Sequence, residues 1–345
     1  VPLEDATVVA RLRQEGAILL GKTNVMVNNP IYGRTNNPYN LDYNTTGSSA
    51  GEAALIAAGG SPLGLGSDSG GSIRQPAHAC GISGLKPTTG RIPLTGHFPF
   101  ISALNDPRTT IGPMSRFVED LAMVLPILSG IDWKDASVIP MPLEDWRGID
   151  VKKLRVAYYT HHAETCPTSD HAETCPTSDH AETCPTSDTV KVCNKAAQIL
   201  EGMGAYVEEV LPPRIQEASV ITRQYWKRPE SVSQREWEAD GEVQLSSTDV
   251  EQHLFNWDRF RRSLIRFMEP YDVILTPVAN KPAMPHGVDE GGIPYTLPYS
   301  LTGWPCVVVR GGTSSKGLPI GVQIIARPWR DDVALATGQV LEQRL

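Results

Sequence analysis

Serines flanked by glycine crowd two short stretches of the chain. They are Gly47-Ser48-Ser49-Ala50-Gly51-Glu52 and Gly66-Ser67-Asp68-Ser69-Gly70-Gly71-Ser72-Ile73-Arg74. A serine hydroxyl becomes a useful nucleophile once a neighbouring base takes its proton. Glycines beside it let backbone N–H groups approach a ligand with no Cβ in the way. Several N–H groups converging on one point form an anion site, suited to a phosphate or to the oxyanion of acyl transfer. Neither stretch is followed by Gly-Lys-Ser/Thr, so neither is a P-loop. One glycine-rich turn needs no chemistry to explain it. Two of them, with Ser48 and Ser72 24 residues apart and a helix between to bring them together, favour a catalytic reading.

A different serine chemistry is suggested and then removed by order. Asp68-Ser69-Gly70-Gly71 resembles the nucleophile segment of trypsin-like proteases, and Pro76-Ala77-His78-Ala79-Cys80 resembles their histidine segment. In those proteases the histidine lies far upstream of the serine, whereas His78 follows Ser69 by nine residues. The serial hairpins of that fold are also missing. His78 is expected to be a packed or exposed loop histidine.

The elements that must position these serines alternate. Residues 3–16 read as a helix closed by Gly16, and Ala17–Leu20 as a short buried strand. Gly51–Gly59 is a helix of small residues. Ser115 is placed to cap a helix over 116–128, which Pro126 must end or kink. Leu154–Tyr159, a helix over 189–203 capped by Asp188 or Thr189, and Ala205–Val210 make a β-α-β unit. Val250–Met268 is a long amphipathic helix with Leu254, Trp257, Phe260, Leu264 and Phe267 or Met268 on one face. Core packing is the simpler use of that face, and a membrane-surface role is the competing one. Strands at 272–276, 306–309 and 320–326 and a closing helix over 331–345 complete the pattern. The expected fold class is α/β, a central mixed β-sheet surrounded by helices.

Composition narrows the function. The 345 residues carry 31 Lys+Arg against 39 Asp+Glu, a net charge of −8. That balance argues against nucleic acid as a partner, because such binders carry a basic excess. With 40% hydrophobic and 20% charged residues, the chain is too apolar for disorder. No apolar run reaches the 18 or so residues of a membrane span. Three of the six cysteines (Cys166, Cys175, Cys184) lie in one repeat, the others are scattered, and no CxxC occurs. A reducing, cytoplasmic location is expected, with no metal and no cofactor.

The repeat is the nine residues His-Ala-Glu-Thr-Cys-Pro-Thr-Ser-Asp, three times without a break over 162–188. Solenoid units are longer and carry a buried apolar face. These are identical and polar, and removing two copies leaves a loop of ordinary length. A duplicated surface loop is the reading preferred over metal binding by three His-x3-Cys units.

At this point a family resemblance becomes specific. Gly21-Lys22-Thr23-Asn24, Asn37-Pro38, the two serine segments and Gly84-Leu85-Lys86-Pro87-Thr88 together resemble the amidase signature family. So do Gly112-Pro113-Met114-Ser115-Arg116, Asp120-Leu121 and Gly317-Leu318-Pro319-Ile320-Gly321-Val322-Gln323. The resemblance spans nearly the whole chain, as one domain over 1–345. It implies hydrolysis of carboxylic amides, with a small-molecule amide as substrate and a homodimer as one compatible assembly.

Carried over by position, the resemblance makes Ser72 the nucleophile and Ser48 the bridging serine, preceded by a cis peptide at Gly47–Ser48. The N–H groups of Ser69, Gly70, Gly71 and Ser72 become the oxyanion hole, and Ser49, Asp68 and Arg74 support the site. The family's catalytic lysine belongs to a strand several tens of residues before the bridging serine. Lys22 and Lys86 match other, structural lysines. The triad is therefore expected to be incomplete, as in an N-terminally truncated member. A second departure is the short run from Asn24 to Asn29, where many relatives have a longer pocket-lining loop. Two competing readings are the amidase-like subunit of a tRNA-dependent amidotransferase and a non-catalytic fragment.

Overall fold

The computed structural model of the chain describes residues 3–101, 106–162, 184–226, 246–288 and 293–345. Helix α1 (Thr7–Gln14) is closed as its sequence predicts, with Gly16 at φ +88°. Ala17–Leu20 is not a strand. Ile18, Leu19 and Leu20 are 85%, 61% and 67% exposed, so this run never reaches the sheet. Four consecutive apolar residues have no periodicity that separates a buried strand from an exposed connection. Between α1 and residue 35 the chain forms only a small hairpin, β1 (Asn28–Asn29) with β2 (Gly33–Arg34).

Next come α2 (Ala50–Ala57), β3 (Leu63–Asp68), α3 (Arg74–Cys80), β4 (Ser83–Lys86), β5 (Thr110–Ser115) and α4 (Val118–Leu128). Ser115 does not cap α4: its hydroxyl donates to the Phe117 carbonyl at 2.6 Å. The Val118 N–H is taken instead by the Glu342 carboxylate, a cap supplied from the far end of the chain. Pro126 sits within the last turn of α4 without ending it at once. The β-α-β unit is present as β6 (Arg155–Tyr158), α5 (Ser187–Met203) and a parallel β7 (Tyr206–Glu209). The cap of α5 is Thr186, whose hydroxyl accepts the Thr189 N–H at 3.3 Å.

The remaining elements are α6 (Glu217–Trp226), α7 (Ser247–Phe267), β8 (Val273–Pro277), α8 (Leu297–Thr302), β9 (Cys306–Thr313), β10 (Pro319–Ala326) and α9 (Asp331–Arg344). Helix α7 buries His253, Trp257, Phe260 and Leu264. Leu254, expected on that face, is 50% exposed, because the stripe runs one residue earlier than expected at its start. Its inner face is core packing. The expected loop over 162–188 lies mostly outside the described residues, since the first copy beyond His162, the whole second copy and residues 180–183 of the third fall there.

Eight strands form one mixed sheet in the order β3-β5-β4-β9-β10-β8-β6-β7. Pairing is antiparallel from β3 to β8 and parallel across β8-β6-β7. Side chains alternate between the two faces, as a strand demands. Val307, Val309, Val322 and Ile324 join one apolar core with residues of α1, α4, α5 and α9. Cys306 and Ile325 pack with residues of α7 and α8, and Val308 with residues of α2 and α3. That second face also carries the buried polar groups Thr276 and Gln323. The β3–α3 loop packs over them.

Candidate active site

Ser69–Ile73 connect the end of β3 to the start of α3, and the charges at either end shape the loop. The Asp68 carboxylate accepts the N–H groups of Ile73 (3.2 Å) and Arg74 (3.4 Å). The Arg74 guanidinium meets the same carboxylate as a fork, at 2.9 and 2.8 Å, with both side chains fully buried. A buried pair persists only when its remaining donors are satisfied. Arg74 also donates to the Gln323 amide oxygen (2.8 Å), the Thr296 carbonyl (2.9 Å) and the Ser300 hydroxyl (2.6 Å). Gln323 in turn donates to Thr276 and to the Tyr295 carbonyl, both at 3.0 Å. Burial alone would raise the Asp68 carboxyl, but the Arg74 charge and hydrogen bonds hold it below the usual carboxylate range.

The loop backbone is gripped from outside. The Thr296 hydroxyl donates to the Gly70 carbonyl at 2.6 Å. The Gln75 N–H donates to the Gly71 carbonyl at 2.7 Å. The Ser69 and Thr109 hydroxyls are hydrogen-bonded to each other. Gly71 has φ +150°, and a Cβ there would stand 2.6 Å from the Thr296 hydroxyl, so only glycine fits.

The second serine segment lies against the first. The Gly47–Ser48 peptide is cis, as the family resemblance implied. The Ser49 N–H donates to the Ser72 carbonyl at 3.3 Å, which brings the two segments into direct backbone contact. Ser48, Ser49, Ser69 and Ser72 are half-buried, while Asp68, Gly70, Gly71 and Arg74 are buried. The Ser48 carbonyl accepts the Met26 N–H at 2.9 Å, and the Gly51 N–H donates to the Asn24 carbonyl at 3.0 Å. The Ser48–Ser49 turn therefore lies against the Ser69–Ser72 loop, which leaves the end of β3.

The matched lysines do not join them as bases. Lys22 is exposed and ends no strand. Lys86 is buried, its ammonium donating to the carbonyls of Trp304 (2.8 Å) and Pro87 (3.1 Å). Burial lowers its affinity for the proton and the Arg74 charge adds to this, while Cys306, Asp68 and Asp331 oppose it. His78 is the packed one of the two expected alternatives, although in a helix and not in a loop. It is buried in α3, where Nδ1 accepts the Gly321 N–H at 2.8 Å and Nε2 contacts the Lys281 carbonyl at 3.0 Å. Burial holds it below the usual histidine range, as a neutral structural group. Gly16–Thr23 spells the P-loop pattern literally. It follows a helix and leads into no helix, so the context that gives that pattern its meaning is not met.

Thr296, Thr109, Ser300 and Gln323 were not singled out from sequence as parts of the site. Three of them lie more than 200 residues from the loop they hold, and no local spacing announces such a contact. Among the described residues there is no group of three or more His, Cys, Asp or Glu able to hold a metal. No described helix is long and apolar enough to cross a membrane.

Comparison with known proteins identifies the family and the fold. A family model described as Amidase matches residues 1–335. A glutamyl-tRNA(Gln) amidotransferase subunit from Halothermothrix orenii is 31% identical, over 100% of this chain and 79% of that protein. A crystal structure described as an amidase superposes with a TM-score of 0.80 at 26% identity, over 100% of this chain and 79% of its own. The substrate complex of 6-aminohexanoate cyclic dimer hydrolase gives a TM-score of 0.78 at 25% identity, over 98% and 77%. The mixed sheet with its surrounding helices is thus the amidase signature fold, and this chain belongs to the amidase family of amide-hydrolysing enzymes.

Proposed function

We propose that the protein hydrolyses a carboxylic amide through an acyl-Ser72 intermediate. The Ser72 hydroxyl oxygen bonds to the amide carbonyl carbon, and the carbonyl electron pair moves onto oxygen. The N–H groups of Ser69, Gly70, Gly71 and Ser72 hold that oxyanion. The Ser72 proton leaves through the Ser48 hydroxyl. Collapse of the intermediate breaks the C–N bond, and the relayed proton goes to the departing amine. Water then attacks the acyl carbon, releasing the acid and restoring Ser72. Asp68, Arg74 and Ser49 hold the frame. The resemblance assigns the final proton acceptor to a lysine, and neither Lys22 nor Lys86 has the placement for that role.

The observation that carries this reading is the Ser49 N–H to Ser72 carbonyl contact beside the cis Gly47–Ser48 peptide. It joins the two serine segments at a glycine loop whose Gly70 and Gly71 carbonyls are both engaged elsewhere. The test is acylation by a p-nitrophenyl ester followed by mass mapping. Ser72→Ala should abolish the adduct and Ser48→Ala should slow its formation by about 10²-fold or more. Undiminished acylation in Ser72→Ala would refute the proposal.

A cytoplasmic location and a small-molecule amide as substrate, with no nucleic-acid partner, belong to the same proposal. A second reading is favoured by the 31% identity to an amidotransferase component. Under it the chain would act within a complex, and co-purification of a second protein would separate the two.

A further inference from the structure

The Gly70–Gly71 peptide unit is held by one side chain from a distant element. Thr296 stands at the N-terminus of α8, and its hydroxyl donates to the Gly70 carbonyl at 2.6 Å. Its own carbonyl accepts the Arg74 guanidinium at 2.9 Å, which ties it to the charged frame of the loop. In a trans peptide the C=O and the following N–H point in opposite directions. A carbonyl fixed on Thr296 therefore turns the Gly71 N–H to the side away from α8. The neighbouring unit obeys the same rule, since the Gly71 carbonyl is held by the Gln75 N–H at 2.7 Å. Hydrogen bonding at a carbonyl also polarises its peptide, so the N–H on the other side becomes a stronger donor.

We propose that Thr296 is a positioning residue for the oxyanion hole, aiming and polarising the Gly71 N–H through the Gly70 carbonyl. This rests on the reading of Ser72 as the acylated nucleophile. Thr296 touches no reacting atom in this account. Its contribution appears where charge develops on the acyl oxygen, and not where the substrate body is held. The close approach also accounts for glycine at 71, where a Cβ would stand 2.6 Å from the same hydroxyl.

The test uses the full chain with Thr296→Val, Thr296→Ala and Thr296→Ser. First-turnover release of p-nitrophenolate gives the acylation rate and the half-saturating ester concentration, and phenylboronate binding reports the tetrahedral adduct. Removing an oxyanion donor outright costs 10²–10³-fold, so weakening one should slow acylation by about tenfold in Thr296→Val. Half-saturation should hold within about twofold, and phenylboronate affinity should fall in parallel with the rate. Thr296→Ser keeps the hydroxyl and should restore both. If Thr296→Val does not fold, Thr296→Ala carries the same expectation. Wild-type acylation in the valine or alanine variant, or an equal loss in Thr296→Ser, overturns the inference while leaving Ser72 in place. Wild-type acylation in Ser72→Ala overturns the underlying reading, and the inference with it.

Discussion

The loop carrying Ser72 is bolted into the core by an ion pair and its hydrogen-bonded surroundings, whereas the turn carrying Ser48 leans on a stretch that faces solvent. Asp68 and Arg74 are fully buried and reach Gln323, Ser300 and the Thr296 carbonyl on β10 and α8. Apart from the Ser49 N–H bond to the Ser72 carbonyl, the Ser48–Gly51 turn is tied through its backbone to Asn24 and Met26, beside Val25 and Met26 that are 52% and 55% exposed. One half of the site is therefore part of the protein's stability, and the other is adjustable at little cost. A substitution in the first half should be felt in unfolding, and one in the second half mainly in activity.

The largest test of that contrast is Arg74→Ala. It strands a buried carboxylate and should cost about 3–5 kcal/mol in denaturant unfolding. Replacing both Asp68 and Arg74 by apolar residues should cost less than Arg74→Ala alone, because no uncompensated charge remains. Gly66→Ala comes next. Its Cβ would stand 2.7 Å from the Ser49 hydroxyl and 2.9 Å from Ile73 and Met114, so overpacking of about 1–3 kcal/mol is expected.

Asn24→Ala probes the other half. Asn24 donates to the Gly33 carbonyl and the Thr35 hydroxyl at 3.0 and 2.9 Å, near the surface. Its removal should cost about 1 kcal/mol or less in stability. Under the proposed relay the acylation rate should nevertheless fall by about tenfold, since displacing Ser48 would slow proton transfer. An equal share of loss in stability and activity would erase the distinction between the two halves.

A pH series sharpens it further. His78 is neutral and buried, with its folded affinity for protons pushed below the ordinary value of 6.5. The unfolded chain takes up a proton that the folded chain refuses. Stability should therefore fall as pH drops from about 6.5 towards the folded value, and be flat above it. Urea midpoints at about pH 7.5 and pH 5.5 would show this, and His78→Gln should flatten that slope at some cost in overall stability. The smallest expected effect is Lys22→Ala, which should leave both melting and acylation unchanged. A large loss of acylation there would make Lys22 the base.

The same contrast explains what was legible in the sequence. Ser48, Ser72, the glycines between them and the Asp68–Arg74 pair are close along the chain, so their spacing announced a site. The strands β8 to β10 declared themselves through β-branched residues between turns, and β6 and β7 through their place on either side of α5. Ala17–Leu20 misled because composition without periodicity does not say which side faces water. Ser115 misled because the α4 cap comes from Glu342, across the fold. Thr296 and Thr109 carry no local mark, since their meaning arises only when α8 and β5 meet the loop.

The most direct measurement is the identity of the residue that becomes acylated. A p-nitrophenyl ester, quenched in the first turnover and mapped by peptide mass, should place one acyl group on Ser72. The adduct should vanish in Ser72→Ala, and form slowly on the same residue in Ser48→Ala. An acyl group on another residue, or an undiminished rate in Ser72→Ala, would contradict the account.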